Sequence, residues 1–198
     1  MELPRHYMSD IKTTVEEIFD LYSTYGNADY IGEPVSQIEH MSQAAQLARQ
    51  EGFDDEVILA AFFHDIGHIC VMSTSENSMN GYGVKSHEKI GADFLRSKGF
   101  SERLARLVES HVQAKRYLTY KDSTYYDNLS EASKQTLTFQ GGRMNETEAH
   151  QFESDSLFDV MIRMRRWDEM AKEENVPLMD LNELKQKAIS VLFSGSNQ

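Results

Sequence analysis

Residues 59–68 read LAAFFHDIGH, an apolar run that ends in a histidine followed by an aspartate. Asp54 stands where it can cap a helix through this run, and Gly67 stands where such a helix would end. The sequence therefore predicts that His64 and Asp65 lie in the last turns of a buried helix. Imidazole and carboxylate groups are common metal ligands, so this stretch is the first candidate for a functional site.

Helical periodicity continues on both sides of this stretch. Ile38, Met41 and Ala45 recur at intervals of three and four residues, which predicts a helix. The same periodicity predicts four further helices, over residues 87–98, 101–118, 152–174 and 180–193. No segment alternates apolar and polar residues between turn signals, so we predict an all-α fold. Residues 73–83 and 119–145 lack periodicity, and we interpret both as loops of the kind that often cover a site.

The composition fits one ordinary globular domain, since 40% of the 198 residues are hydrophobic and only 3 are proline. The formal net charge of −12 argues against nucleic-acid binding, because that affinity comes largely from Lys and Arg that neutralise phosphates. The single cysteine, Cys70, excludes an internal disulfide, and the N-terminus lacks the features of a signal peptide, so we expect a cytoplasmic protein. The longest apolar run is shorter than the roughly 18 to 20 residues that a membrane-spanning helix needs.

Four histidines recur at nearly equal intervals. The spacings between His40, His64, His87 and His111 are 24, 23 and 24 residues, and each histidine falls on a predicted helix. One inward imidazole from each successive helix is a common way to build a metal centre in a helical bundle. Any one of these histidines taken alone is more often a surface residue or a hydrogen-bonded core residue. The neighbouring Asp65 strengthens the metal hypothesis, because the two oxygens of one carboxylate can face two cations.

The chain carries, in this order, a histidine (His40), a His-Asp pair (residues 64–65) and a late aspartate (Asp168). This order resembles the H…HD…D signature of the HD-domain superfamily, an all-helical fold that binds at least one metal. His87 and His111 match the two additional ligands of members that hold two metals. We therefore predict a single HD-domain helical bundle with the metal site in its core.

The neighbourhoods of these residues resemble more closely the PhnZ-type oxygenases within that superfamily, from about residue 29 to about residue 170. The resemblance is carried by residues 29–33 (DYIGE), 38–40 (IEH), 59–68, 81–84 (GYGV), 87–89 (HEK), 91–93 (GAD), 111–118 (HVQAKRYL), 140–142 (QGG) and 165–168 (RRWD). We expect one HD domain over residues 1–198, with an N-terminal helix in 1–28, the metal-binding core in 29–170 and a C-terminal helix in 171–198.

Members of this family hold a mixed-valent Fe(II)/Fe(III) diiron centre, use O2 as co-substrate and cleave the carbon–phosphorus bond of 1-hydroxy-2-aminoethylphosphonate. The related TmpB type acts on the N-trimethylated analogue, and myo-inositol oxygenase is a more distant relative with similar iron chemistry. For this chain the resemblance implies two iron ions, a small-molecule organophosphonate as substrate, and release of phosphate with glycine or glycine betaine. It assigns the first iron to His40, His64, Asp65 and Asp168, and the second to Asp65, His87 and His111.

Three potential cations share a predicted helix face with a metal ligand: Lys115 lies four residues after His111, Arg165 three before Asp168, and His68 four after His64. A phosphonate dianion needs such donors, and Arg165 can bind two of its oxygens at once. The resemblance places His68 at the phosphonate even if Gly67 ends the helix before it. The alternative for Lys115 and Arg165 is an ordinary surface salt bridge.

The resemblance assigns roles to three further residues. Ser133, in the long loop, occupies a matching position and can donate a hydrogen bond to the phosphonate. Tyr30 and Glu33 resemble the family's mobile lid pair, in which the tyrosine occupies an open iron position until substrate displaces it. Glu33 can also attract a substrate ammonium group. We therefore predict catalytic roles for Tyr30, Glu33 and His68, the alternative for the lid pair being a packed aromatic and a solvated charge.

Three functions are compatible with these patterns. An oxygenase is the leading hypothesis. The main alternative is an HD-type metal-dependent phosphohydrolase, because many HD proteins use the same ligands to activate water against a phosphate ester. A binding or signalling module is disfavoured, since such degenerate domains usually lose ligands and all six are present here. We expect a monomer or a weak homo-oligomer.

The amine end of the substrate is the least determined feature. A trimethylammonium group has no hydrogen-bond donors and needs only negative charge and aromatic contact, whereas a primary ammonium must replace three hydrogen bonds to water. Glu33 with Tyr25 and Tyr30 can supply the charge and the aromatic contact. The sequence alone therefore slightly favours the trimethylated substrate.

Overall fold

We describe residues 5–30, 32–71 and 74–195 of a computed structural model of the chain. Within these ranges the chain forms eleven helices and no strand longer than an isolated bridge, which confirms the all-α prediction. The helices are α1 (Arg5–Tyr25), α2 (Gln37–Gln50), α3 (Asp55–Phe63), α4 (Gly67–Cys70), α5 (His87–Ser97), α6 (Glu102–Lys121), α7 (Ser123–Asp127), α8 (Glu131–Phe139), α9 (Glu146–Glu153), α10 (Phe158–Met170) and α11 (Leu181–Gly195).

Polar side chains cap the N-termini of three helices, α2, α3 and α6, that contribute residues to the core. Ser36 begins α2 with a capping box: its hydroxyl accepts the N–H of Glu39, and the Glu39 carboxylate accepts the N–H of Ser36. Asp54 caps α3, as the sequence predicts, and Ser101 caps α6. Each cap is a bond between residues three positions apart, so these helix starts can be predicted without tertiary information.

The end of α3 differs from the prediction. α3 ends at Phe63, so His64 and Asp65 lie just beyond it rather than in its last turns, and Gly67 begins α4 instead of ending α3. A Cβ atom on Gly67 would overlap the carbonyl oxygen of His87. Glycine is therefore required here by the close approach of α4 to the start of α5, and not by a helix cap.

Gly67→Ala should force α4 away from α5. We expect the variant to lose about 3 kcal/mol of the free energy of unfolding, because the added methyl group overlaps backbone at His87. Urea unfolding followed by circular dichroism measures the loss. Gly195→Ala is the matched control, since a Cβ there meets nothing within 4 Å. Equal stabilities of the two variants would contradict the packing argument.

Residues 119–145, predicted as a loop, are largely helical. They contain the end of α6 and the short helices α7 and α8, whose N-caps are Asp122 and Ser130. α7 has 5 residues and α8 has 9, too few for an apolar period to stand out. In the other predicted loop, the described residues 74–83 form turns and no helix, as predicted, and residue 73 lies outside the described residues.

The predicted helix over residues 152–174 is divided in the structure. α9 ends at Glu153 and α10 begins at Phe158, after a turn in which the Asp155 carboxylate accepts the N–H of Leu157. The predicted C-terminal helix, residues 171–198, is helical from residue 181 to 195, and residues 196–198 lie outside the described residues. In the N-terminal segment, 1–28, α1 covers residues 5–25 and residues 1–4 are likewise not described. The division of the chain at residues 28 and 170 stays a prediction.

α3 lies at the centre of the bundle. Residues 57–63 are all buried, and α3 packs against α2, α6, α10 and α11. The rings of Phe19 and Tyr22, from α1, stack on Phe62 with centroid separations of 5.7 and 4.6 Å. Because α3 is enclosed on all sides, the residues that follow it are held at a defined place in the core. None of the helices in the described ranges is long and apolar enough to cross a lipid bilayer.

Candidate metal centre

Six buried residues from five places in the fold meet beyond the end of α3. His40 lies on α2, His64 and Asp65 follow α3, His87 begins α5, His111 lies on α6 and Asp168 lies on α10. The structure thus brings together all six residues that the sequence predicts as metal ligands.

The histidines form two pairs. The Nε2 atoms of His40 and His64 lie 3.0 Å apart, and so do those of His87 and His111. Asp65 lies between the pairs: its Oδ2 is 3.5 Å from both Nε2 atoms of the first pair. Its Oδ1 is 3.2 and 3.3 Å from those of the second pair. One carboxylate therefore faces both pairs, which is the geometry of a bridge between two cations.

Asp168 belongs to the first pair alone. Its Oδ1 atom lies 3.3 Å from Nε2 of His40 and 3.8 Å from Nε2 of His64. The first group thus offers two imidazoles and two carboxylate oxygens, whereas the second offers two imidazoles and one oxygen. An ion in the second group would have fewer protein ligands, which is typical of a catalytic metal that also binds substrate.

The protonation of the histidines follows from their outer hydrogen bonds. Each Nδ1 atom faces a backbone carbonyl oxygen: His40 that of Ala171 (2.9 Å), His64 that of Ala61 (2.8 Å), His87 that of Val84 (3.2 Å) and His111 that of Val108 (2.8 Å). Each Nδ1–H therefore donates outward, which leaves each Nε2 pointing inward as the atom that can bind a proton or a metal ion. Two Nε2 atoms 3.0 Å apart repel unless a proton or a metal ion lies between them. The donor set fits metal ions, and such ligands suit iron as well as manganese, zinc or cobalt.

The carboxylates of the centre are ionised. Burial raises the pKa of Asp65, but the surrounding histidines outweigh burial and hold that pKa well below its usual value. The pKa of Asp168 is also well below its usual value, because Arg165 and His40 outweigh burial. Burial lowers the pKa of His40, yet Asp168 and Asp65 raise it to about 9. Two buried carboxylates that stay ionised require positive charge beside them. Arg165 and protonated His40 supply it, and metal ions that replace the His40 proton would supply more.

The centre opens onto a small cavity of about 70 Å³. Every residue that the sequence predicts as catalytic or substrate-binding lines this cavity: Tyr30, Glu33, His68, Lys115, Ser133 and Arg165.

Lys115 is buried on α6, one helical turn after His111. Its Nζ donates to Oγ1 of Thr136 at 2.9 Å and to the carbonyl oxygen of Ser133 at 3.3 Å. Burial and the neighbouring Arg165 lower the pKa of Lys115 to about 7. Lys115 is thus a buried cavity residue rather than the partner in a surface salt bridge.

Arg165 is held by side chains on one side of its guanidinium group. Its Nη1 donates to Oδ2 of Asp168, and its Nε donates to the hydroxyl of Tyr125 at 3.0 Å and to Oε1 of Glu169 at 3.1 Å. Nη2 is buried and has no hydrogen-bond partner among the described residues. Leaving a buried charged donor unpaired costs free energy, so Nη2 indicates a binding position for a ligand acceptor such as an anion.

Two of these partners are missed by sequence reasoning. The Tyr125 hydroxyl donates to Glu169 while it accepts from Arg165, so the three side chains form one network. Glu169 could have been found, since it lies four residues after Arg165 on the same helix face. Tyr125 reaches Arg165 from α7, in the segment that the sequence indicates as a loop, and no sequence signal marks it.

His68 reaches the cavity by a different route from the predicted one. It lies on α4, not on the helix that precedes His64, and its ring stacks on that of His87 with centroids 3.9 Å apart. Its Nδ1 accepts the N–H of Val84 at 3.1 Å, so Nε2 carries the proton. Burial lowers the pKa of His68 well below its usual value. His68 is therefore a neutral hydrogen-bond donor and not the cation that the spacing suggests.

Tyr30 and Glu33 lie between α1 and α2, at the edge of the cavity. The ring of Tyr30 stacks on His40, with centroids 4.1 Å apart and ring planes 13° from parallel. Glu33 forms an ion pair of 2.5 Å with Nζ of Lys172, which also lies 3.5 Å from Oγ of Ser130. Glu33 is thus not the free charge that the sequence suggests. Lys172 lies 139 residues further along the chain, and no local pattern connects the two.

Comparisons with known proteins agree with this centre. A family model described as HD domain matches residues 38–138, which contain all the candidate ligands except Asp168. The chain is 40% identical over 190 residues to the uncharacterized protein L432 of Acanthamoeba polyphaga mimivirus, covering 96% of this chain and 87% of that protein. It is 38% identical over 169 residues to the 1-hydroxy-2-(trimethylamino)ethylphosphonate dioxygenase (glycine-betaine-forming) of Leisingera caerulea, covering 84% of each. It is 34% identical over 178 residues to the hydroxymethylphosphonate dioxygenase of Gimesia maris, covering 90% and 88%.

Proposed function

Because this chain belongs to the HD-domain family, we propose that it is an oxygenase that uses O2 to cleave the carbon–phosphorus bond of a 1-hydroxyphosphonate. The observation that carries the proposal is the position of Asp65, whose two oxygens face one histidine pair each, beside a cavity with buried cationic donors. The names of the two dioxygenase relatives support it, since each alignment covers at least 84% of this chain.

The proposed metal ions are two irons in the Fe(II)/Fe(III) state. The first would be held by His40, His64, Asp65 and Asp168, and the second by Asp65, His87 and His111. When bound, the iron pair supplies the one-electron steps and the activation of O2 that side chains cannot perform. The orientation of every Nδ1–H toward a backbone carbonyl supports this assignment, because it presents Nε2 as a ligand.

The buried donors of the cavity would hold the phosphonate. Arg165 keeps Nη2 without a partner in the part of the chain that the structure describes, Lys115 brings an amine that α8 fixes in place, and His68 can donate from Nε2. Ser133, which also lines the cavity, can add a hydroxyl. Charge-assisted hydrogen bonds of this kind are stronger in a buried site than in water, so they can set the position of the phosphonate beside the metal centre.

Tyr30 and Glu33 would form the lid. Tyr30 lies over the ring of His40, where it would shield the first histidine pair from water. A substrate that binds at the second group with its 1-hydroxyl and phosphonate would displace Tyr30 from this position. We also keep the sequence-based predictions of a cytoplasmic protein and of a monomer or weak homo-oligomer.

The proposed reaction balances without an added reductant. A substrate R–CH(OH)–PO3H2 and one O2 give R–COOH and H3PO4. The carbon–phosphorus bond breaks, and carbon and phosphorus each gain one oxygen atom. The carbon is oxidised and O2 is reduced, so the reaction requires oxygen and releases inorganic phosphate.

An anaerobic incubation tests the proposal. Iron-loaded protein is mixed with candidate 1-hydroxyphosphonates without oxygen, O2 is then added, and phosphate is assayed before and after. We expect phosphate only after O2 is added, and none from zinc-loaded protein. Phosphate release without O2, with a redox-inert metal and from a phosphate ester, would instead indicate the phosphohydrolase.

Tyr125→Phe tests how Arg165 is positioned. The variant removes one of the two acceptors of the Arg165 Nε–H and leaves Glu169. We expect KM for the phosphonate to rise about fivefold, the equivalent of about 1 kcal/mol for one hydrogen bond. Iron content and kcat should not change, because the hydroxyl contacts the guanidinium and not the metal ligands. Tyr126→Phe, one residue further on α7, is the control, and equal KM values for the two variants would contradict the positioning role.

A further inference from the structure

The ion pair between Glu33 and Lys172 is largely removed from water. The two charged atoms lie 2.5 Å apart, and their side chains are 9% and 18% exposed. Glu33 lines the metal cavity, whereas Lys172 lines a neighbouring cavity, and Arg165 and Ser133 line both. The pair therefore forms part of the wall between the two cavities, with the negative charge on the substrate side already neutralised.

The other carboxylates that line the metal cavity also have partners within the protein. Among the described residues that line it, the carboxylates are Glu33, Asp65 and Asp168. Asp65 faces the two histidine pairs, and Asp168 accepts a hydrogen bond from Arg165 and faces His40. A substrate ammonium group would thus find no carboxylate in this lining that is free of a partner.

Neutral acceptors remain in the same lining. Oε1 of Gln37 and Oε1 of Gln140 are buried and have no hydrogen-bond partner among the described residues. An amide oxygen can accept a hydrogen bond from a hydroxyl group, but it does not neutralise a buried cation. The cavity therefore combines strong donors for the phosphonate with neutral acceptors for the rest of the substrate.

We infer that Lys172 is a specificity-determining residue: its ion pair with Glu33 neutralises that carboxylate and so excludes substrates with a cationic group at C2. This inference rests on the proposed function. The preferred substrates are 1-hydroxyphosphonates that carry no cationic group at C2. Either C2 is absent, as in hydroxymethylphosphonate, or it carries a hydroxyl group. A cationic substrate must either enter without a counter-ion or displace Lys172 from a buried pair, and both are unfavourable. The ion pair thus reverses the preference for a trimethylammonium group that the sequence alone suggests.

A panel of four phosphonates tests the preference of the iron-loaded protein. Two are neutral beyond the phosphonate, hydroxymethylphosphonate and 1,2-dihydroxyethylphosphonate, and two are cationic, 1-hydroxy-2-aminoethylphosphonate and its N-trimethyl analogue. We expect kcat/KM, measured by phosphate release, to be at least tenfold higher for the better neutral substrate than for either cationic one. A higher kcat/KM for a cationic substrate would overturn the inference and leave the oxygenase proposal intact. Absence of O2-dependent phosphate release from all four would instead overturn the proposed function.

The role of Lys172 has its own test. Lys172→Met frees the charge of Glu33, and we expect the ratio of kcat/KM for cationic over neutral substrates to rise at least tenfold. The double variant Glu33→Gln/Lys172→Met should lose that gain, since the freed carboxylate causes it. Lys89→Met is the matched control, because the ion pair of Lys89 with Asp93 is exposed on α5.

A ratio that stays unchanged in Lys172→Met would overturn the inference. Circular dichroism and iron content show whether this variant folds. If it does not, Lys172→Gln takes its place, since glutamine can still donate a hydrogen bond to Glu33 without neutralising it. The same tenfold rise is expected for Lys172→Gln, and an unchanged ratio would again overturn the inference.

Discussion

Asp65→Ala should lose both iron ions and release no phosphate from any hydroxyphosphonate. Asp65 is the residue whose oxygens face both histidine pairs, so its removal takes one ligand from each group. It also removes the negative charge that screens the repulsion between two nearby cations. We expect about two irons per chain in the protein purified under iron-replete conditions and close to none in the variant, measured by elemental analysis.

Asp159→Ala provides the control for this experiment, because Asp159 is an exposed aspartate in the first turn of α10. It should retain two irons and full activity. An Asp65→Ala variant that keeps two irons would contradict the bridging role. Wild-type protein that is fully active with a single zinc ion would contradict the dinuclear oxygenase as a whole.

Lys115→Ala should keep its iron but bind the substrate about 10- to 100-fold more weakly. The loss corresponds to roughly 1.5 to 3 kcal/mol for a hydrogen bond to a charged group. The hydrogen-bond partners of Lys115 in the protein are Thr136 and the carbonyl oxygen of Ser133. Neither residue is a candidate metal ligand, so the metal centre should not change. Substrate affinity and iron content are measured on the same preparation. Lys121→Ala, at the exposed end of the same helix, is the control.

Arg165→Ala requires a different expectation. The spacing of residues alone suggests that this variant, like Lys115→Ala, keeps its metal. In the structure, however, Nη1 of Arg165 donates to Asp168, so its removal frees a carboxylate of the first group. We therefore expect both weaker substrate binding and partial loss of iron. Unchanged substrate affinity in both variants, with iron retained, would place the phosphonate elsewhere.

Local signals explain why much of the fold could be predicted. Ser36, Asp54 and Ser101 each bond a backbone N–H three residues away, and such caps act before any tertiary contact forms. Prediction failed where helices are short, as in α7 and α8, and where a glycine allows two helices to approach closely. Gly67 has the sequence context of a helix stop, but only the approach of α5 explains it.

The sequence by itself determined the helical class and indicated the residues that make up the candidate metal centre, because helical periodicity and the spacing of histidines are properties of the chain. Only the tertiary structure decided how those residues are used. The carbonyl of Ala171 fixes the tautomer of His40 across 131 positions, and Lys172 neutralises Glu33 across 139. The physical reason is that hydrogen bonds and ion pairs depend on distances of about 3 Å. Such distances between remote residues are set by how the helices pack, and no local pattern records them.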